Sequence, residues 1–220
     1  MVGLESIVFR MARSFQLNGK RALVTGGNDI AEAIRGSLSN EGALVSKELN
    51  GPVDILVNAA SEIHVPSNTP LDLSSEAWAE EMTRHFEVPR QLTHAVLADM
   101  IDNGFGRIIN VIGSFEPLHY SSEFAAWGAL AGWAKSLTRE VGQHGITINS
   151  IQPGMIDSKN IRTNYSNDIL KDLQETRIPA GKLGQPIDIA NFVVYLSSDY
   201  ARYITGTVIP IDGGLARYQH

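Results

Sequence analysis

The sequence predicts an α/β fold, a doubly wound parallel sheet, and three observations carry that prediction. Short β-rich runs alternate with helical stretches from residue 21 to residue 211, the order that builds a parallel sheet from strand–helix–strand units. The first run, Arg21-Ala22-Leu23-Val24-Thr25, ends in Gly26-Gly27, which marks a strand entering a tight turn. Val53-Asp54-Ile55-Leu56-Val57-Asn58 reads as a second, buried strand.

The remaining elements follow in order. Asn28 or Asp29 caps a helix that runs to about Asn40, with Gly42 at a helix-stop position. Leu44-Val45-Ser46 is at most a short edge strand. Ser74 caps a helix from about Ser75 to Phe86, and Pro89 opens its continuation to about Asp102. Proline is tolerated in a first turn, so a break is expected between His85 and Val88. Residues 107–112 form a strand, 122–141 a long helix and 147–151 another strand. Pro186 opens a helix to about Ser197, and residues 207–211 form a last strand that Pro210 places at an edge. Residues 61–73 and 157–181 read as loops.

Composition narrows the function classes. With 220 residues and 43% hydrophobic content, one domain over 17–220 is expected, preceded by a loose tail over 1–16. A net charge of −6 without any Lys/Arg block speaks against nucleic acid. No stretch approaches the roughly 20 apolar residues of a membrane span, so no membrane is expected. The apolar run 6–9 is too short for the core of a signal peptide, and cysteine is absent. Both suit the cytoplasm. The histidines show no metal-ligand spacing, so no metal is expected.

Five motifs in sequence order then carry a resemblance. They are Thr25-Gly26, Leu56-Val57-Asn58-Ala59-Ala60, Asn110-Val111-Ile112-Gly113-Ser114, the run from Pro153-Gly154 to Ser158, and Ile211-Asp212-Gly213-Gly214. Together they resemble the short-chain dehydrogenase/reductase family over about residues 17–214. The resemblance implies a Rossmann-type sheet, an NAD(P) cofactor, and a homodimer or homotetramer. It also implies that Gly26, Asn58, Pro153, Gly154, Ile156 and Ser158 line what remains of a cofactor cleft.

Two departures from the family pattern shape the functional expectation. The family's glycine turn is one residue short here, and Asp29 and Glu32 add negative charge where a pyrophosphate belongs. Between Ser46 and Val53 only six residues remain, which reach at most about 20 Å and leave no room for a helix. A sheet truncated on the adenine-binding side is therefore expected, with Glu48 the one acid near the ribose-binding spacing. At the catalytic positions the family uses a Tyr with a Lys four residues on. The resemblance puts Glu123 and Trp127 there, Ser114 at the family's Ser, and His85 at its Asn. Tyr120 lies close by, but Phe124 stands four residues after it.

Three functions remain open on these residues. The leading expectation is a protein that has lost ordinary hydride transfer and binds no cofactor. It would act either in non-redox acid/base catalysis on a small molecule, through Ser114, Glu123 and His85, or as a silent ligand-binding homologue. Glu123 at i and Trp127 at i+4 share a helix face, where desolvation raises a carboxyl pKa and suits it to acid/base work. The alternative is an active NAD(P)-dependent oxidoreductase.

Overall fold

The computed structural model of the chain describes residues 15–60, 73–113 and 122–216. Its strands are β1 (Arg21–Val24), β2 (Leu44–Ser46), β3 (Ile55–Asn58), β4 (Gly106–Val111), β5 (Ile146–Pro153) and β6 (Val208–Ile211). They form one sheet in the order β2-β1-β3-β4-β5-β6, and every neighbouring pair is parallel. The two edges are β2 and β6, the short strand and the proline-bearing strand that the sequence assigns there.

Side chains alternate between the two faces, so each face needs its own helical layer. On one face α1 (Asp29–Asn40) and α7 (Pro186–Ser197) pack Ile34, Leu38, Ile189 and Val193 against Val24, Val57 and Ile109. On the other, α3 (Val88–Asp102) and α4 (Glu123–Val141) bring Val96, Met100 and Ala134 onto Leu23, Leu56 and Ile108. The tail expectation extends to residue 16, whereas the Phe15 ring packs edge-on against Tyr195 and Tyr200. Residues 1–14 lie outside the described part.

The connection from β2 to β3 is the shortened one. It passes β1 and lands on Asp54, where Arg21 at the foot of β1 clamps it. The Arg21 backbone N–H and Nε donate to Asp54 Oδ2 at 2.8 and 3.0 Å, and Nη2 donates to Oδ1 at 2.9 Å. Burial opposes ionisation of Asp54, yet the Arg21 hydrogen bonds and charge outweigh it and hold the carboxyl below its usual range. A bidentate pair of this kind fixes the landing point of a crossover that has no helix to pack it.

Two expectations change in detail. The helix that Ser74 caps does not break before Pro89. It runs as α2 (Ser75–Met82), widens to an i→i+5 turn over Thr83–Glu87, and continues as α3. Pro89 has no N–H for the carbonyl four residues back, and a widened turn accommodates that without ending the helix. The supposed loop 157–181 holds two helices, α5 (Lys159–Asn164) and α6 (Asn167–Thr176), capped by the Ser158 and Ser166 hydroxyls. Ile161, Leu170 and Leu173 seat them on a small core with Met155 and Leu183. No helix among the described residues is long and apolar enough to cross a membrane.

Candidate active site

A cleft of about 210 Å³ opens where the chain leaves the carboxyl ends of β1, β4 and β5. Open doubly wound sheets place ligands at this end, beside the point where strand order reverses. One wall is the turn from Gly27 to Ile30 at the start of α1. The floor is Val111, Ile112 and Gly113 with Trp127, and the far wall runs from Pro153 and Gly154 to Ile161.

The turn is held from behind. Gly26 adopts φ +89°, and a Cβ there would stand 2.4 Å from the Ala59 carbonyl oxygen, so only glycine fits. Arg35 reaches back from α1 and donates from Nη1 to the carbonyls of Val24 and Gly26, at 3.0 and 2.9 Å. Asn28 accepts from the Ala31 N–H through Oδ1 at 2.8 Å and donates through Nδ2 to the Ala59 carbonyl at 3.0 Å. Gly27 lines the cleft and faces open space, with nothing within 4 Å of where a Cβ would stand. Its backbone is therefore accessible from the cleft.

The negative charges that argue against an anion in this turn are engaged elsewhere. Glu32 is bound by Arg35 and Lys47, whose hydrogen bonds hold its carboxyl down at about 2. Asp29 Oδ2 accepts from the Lys159 backbone N–H at 2.7 Å, tying the start of α1 to the start of α5. The Lys159 ammonium, 3.9 Å from Asp29 Oδ1 and 94% exposed, stands at the cleft mouth. Sequence reasoning missed Lys159 and Arg35; the first lies in a stretch read as loop, and the second is visible only once α1 folds back on the turn.

On the floor, the Trp127 ring lies so close to Gly113 that a Cβ there would sit 1.9 Å from it. Behind Trp127 the structure brings together three side chains. His85, in the widened turn, meets the Trp127 ring edge-on with centroids 5.9 Å apart. Glu81, at the end of α2, has Oε2 3.1 Å from His85 Nε2. Glu123, the first residue of α4, completes the group, and one ligand-type atom from each lies within 4.8 Å of the others. Sequence reasoning singled out His85 and Glu123 but not Glu81, whose helical i,i+4 relation to His85 was the available signal.

The other expected site residues divide. Pro153, Gly154, Ile156, Ser158 and Trp127 line the cleft. Gly26 and Asn58 do not. Gly26 shapes the turn from beneath, and Asn58 is turned into the sheet, donating from Nδ2 to Asn110 Oδ1 at 2.8 Å. Ser114 and Tyr120 lie outside the described residues.

Comparison with known proteins fits this geometry. Residues 4–216 match the enoyl-(acyl carrier protein) reductase family profile. The chain is 37% identical over 172 residues to the 3-oxoacyl-[acyl-carrier-protein] reductase FabG of Haemophilus influenzae, spanning 75% of this chain and 68% of that one. It is 36% identical over 173 residues to the acetoacetyl-CoA reductase of Rhizobium meliloti, with 74% and 68% covered. A solved protein of Agrobacterium tumefaciens, described as a 2-deoxy-D-gluconate 3-dehydrogenase with bound NADP, superposes with a TM-score of 0.82. That match has 28% identity and covers 92% of this chain and 98% of the other. The chain belongs to the short-chain dehydrogenase/reductase family.

These relatives overturn the leading functional expectation. Reductases at 36–37% identity support redox chemistry and give no support to a non-redox enzyme or a silent homologue. The expectation of no cofactor likewise finds no support, since a dehydrogenase at 28% identity carries NADP. The physical error lay in weighing two substituted side chains, Glu123 and Trp127, above the backbone turn and strand ends that form the cleft.

Proposed function

We propose that this chain is an NAD(P)-dependent oxidoreductase that interconverts a ketone and a secondary alcohol, with 3-oxoacyl thioesters as its substrate class. The cleft is the observation that carries the reading. Its open glycine backbone at a helix N-terminus suits an anionic pyrophosphate, and Lys159 adds a cation at the mouth. The far wall of Pro153, Gly154, Ile156 and Ser158, with Trp127 below, suits a planar ring. A volume of about 210 Å³ is smaller than the roughly 300–1,000 Å³ of most ligand sites, and it suits the nicotinamide end of a dinucleotide better than the whole. Bound there, a reduced nicotinamide supplies a hydride.

The chain's own residues supply the rest. Ile112, Ile156 and Trp127 keep water from the reacting face, which strengthens every polar interaction within. The hydride adds to the carbonyl carbon and the carbonyl oxygen takes its proton from solvent at the cleft mouth, since neither Glu123 nor His85 lines the cleft. The thioester class rests on the relatives named as reductases of 3-oxoacyl-carrier and acetoacetyl-CoA substrates. The same reading takes the chain to be a cytoplasmic homodimer or homotetramer joined through α3 and α4. Ala126 is buried within the subunit, which leaves Ala125 and Gly128 on the outer side of α4 for close approach.

The test is transfer of label. With NADPH deuterated at the nicotinamide C4 and acetoacetyl-CoA as substrate, deuterium should appear at C3 of the 3-hydroxyacyl product. Cofactor consumption without label in the product, or no turnover with either reduced cofactor, contradicts the proposal.

A further inference from the structure

We infer that Glu81, His85 and Glu123 form a binding site for a divalent first-row transition cation, zinc or manganese. The inference goes beyond the redox reading and does not depend on it.

Geometry comes first. Two ligands held about 2.1 Å from a tetrahedral metal stand about 3.4 Å from each other. The His85 Nε2 and Glu81 Oε2 atoms are 3.1 Å apart, and all three groups offer an atom within 4.8 Å of the others. Glu81 Oε2 makes no aligned hydrogen bond among the described residues despite that 3.1 Å approach, so a lone pair remains for a ligand bond.

Electrostatics points the same way. His85 and Glu123 are 3% and 2% exposed, and Glu81 is largely covered. A divalent cation neutralises both carboxylates and leaves His85 in its neutral, ligating form. One imidazole with two carboxylates suits zinc or manganese better than calcium or magnesium, which prefer all-oxygen sets.

Local structure supplies the frame. The i→i+5 turn over Thr83–Glu87 is of a kind frequent at functional sites, and here it carries His85. The edge contact with Trp127 fixes the imidazole plane, as supporting groups around metal ligands do. Because Trp127 also lines the cleft, an ion at this site lies one ring behind the proposed redox chemistry.

The experiment uses the full chain, stripped with a chelator and reloaded separately with Zn²⁺, Mn²⁺ or the spectroscopic probe Co²⁺. One bound metal per chain after desalting is expected, with cobalt d–d bands that show nitrogen ligation. Glu81→Gln, at the more exposed ligand, should weaken binding at least about tenfold, since even supporting residues cost that much. His85→Gln should abolish the cobalt bands. NADPH affinity, measured on the same Glu81→Gln protein, should stay within about twofold, which separates this site from the cofactor reading. Substoichiometric metal, or equal metal content in the wild type and Glu81→Gln, would overturn the inference. Should His85→Gln fail to fold, the Glu81→Gln comparison decides alone.

Discussion

The cleft joins two regions that are built on different principles. On the side of β1, α1 and β2, charged groups of the chain bind one another: Arg35 with Glu32, Lys47 with Glu32, and Arg21 with Asp54. On the side of β4, β5 and α5, apolar walls at Ile112, Trp127 and Ile156 meet Ser158, whose hydroxyl caps α5, and the exposed Lys159 ammonium at the cleft mouth. The first region spends its polar groups on holding a shortened chain in place. The second lines the cleft with apolar side chains and the Lys159 cation. On the proposed function, a doubly wound sheet loses a crossover helix and still keeps one end of a dinucleotide site. On that reading, the ion pairs that stabilise the chain fall in the first region and recognition falls in the second.

Substitutions at three positions test this division. Asp54→Ala removes the landing clamp and leaves Arg21 without its partner. Arg21 is 40% exposed, so the cost should fall below the 3–5 kcal/mol of a fully buried pair, at about 2–3 kcal/mol. For a chain of this size the melting temperature should drop by about 5–10 °C, with little change in cofactor affinity. The clamp also sets a pH dependence. The folded carboxyl has a depressed pKa, so its contribution is complete above the unfolded value of about 3.9 and is lost as pH falls further. Denaturant titrations of wild type and Asp54→Asn should therefore converge below about pH 4. A gap that persists unchanged at pH 2.5 would contradict this origin.

Lys159→Glu addresses the second region. Losing a charge-assisted contact costs about 1.5–3 kcal/mol, so NADPH should bind about tenfold or more weakly while thermal stability barely moves. Equal affinity in the variant would remove Lys159 from the site. The smallest effect is expected at Glu48, the acid that spacing alone nominates for the ribose. It is exposed in the crossover loop, with its backbone N–H donating to Ser46 Oγ at 3.1 Å. Glu48→Ala should change NADPH affinity by less than about twofold, the scale of an exposed charge. A tenfold loss would show that the adenine side still binds.

The sequence shows the two regions with unequal clarity, for physical reasons. The alternation of strands and helices, the truncated edge and a cap at Asn28 or Asp29 follow from local patterns, because alternation, glycine turns and loop length act over a few residues. Lys159 does not, since its place at the cleft depends on Asp29 reaching across 130 positions to the start of α5. Glu81 joins His85 through helical spacing that can be read directly, but its meeting with Glu123 is tertiary. The misjudged function has the same root. A missing phenol and ammonium are plain in one dimension, whereas the neutralisation of Glu32 by Arg35 and Lys47 appears only in the fold.

The central claim is that affinity for the cofactor resides at the nicotinamide end. Calorimetric competition against NADPH tests it most directly, with reduced nicotinamide mononucleotide in one titration and adenosine 2′,5′-bisphosphate in the other. The mononucleotide should bind within about tenfold of NADPH, a difference of about 1.4 kcal/mol, while the bisphosphate fails to compete at a comparable concentration. A bisphosphate that competes as well as the mononucleotide, or an NADPH titration without heat or saturation, would contradict the account.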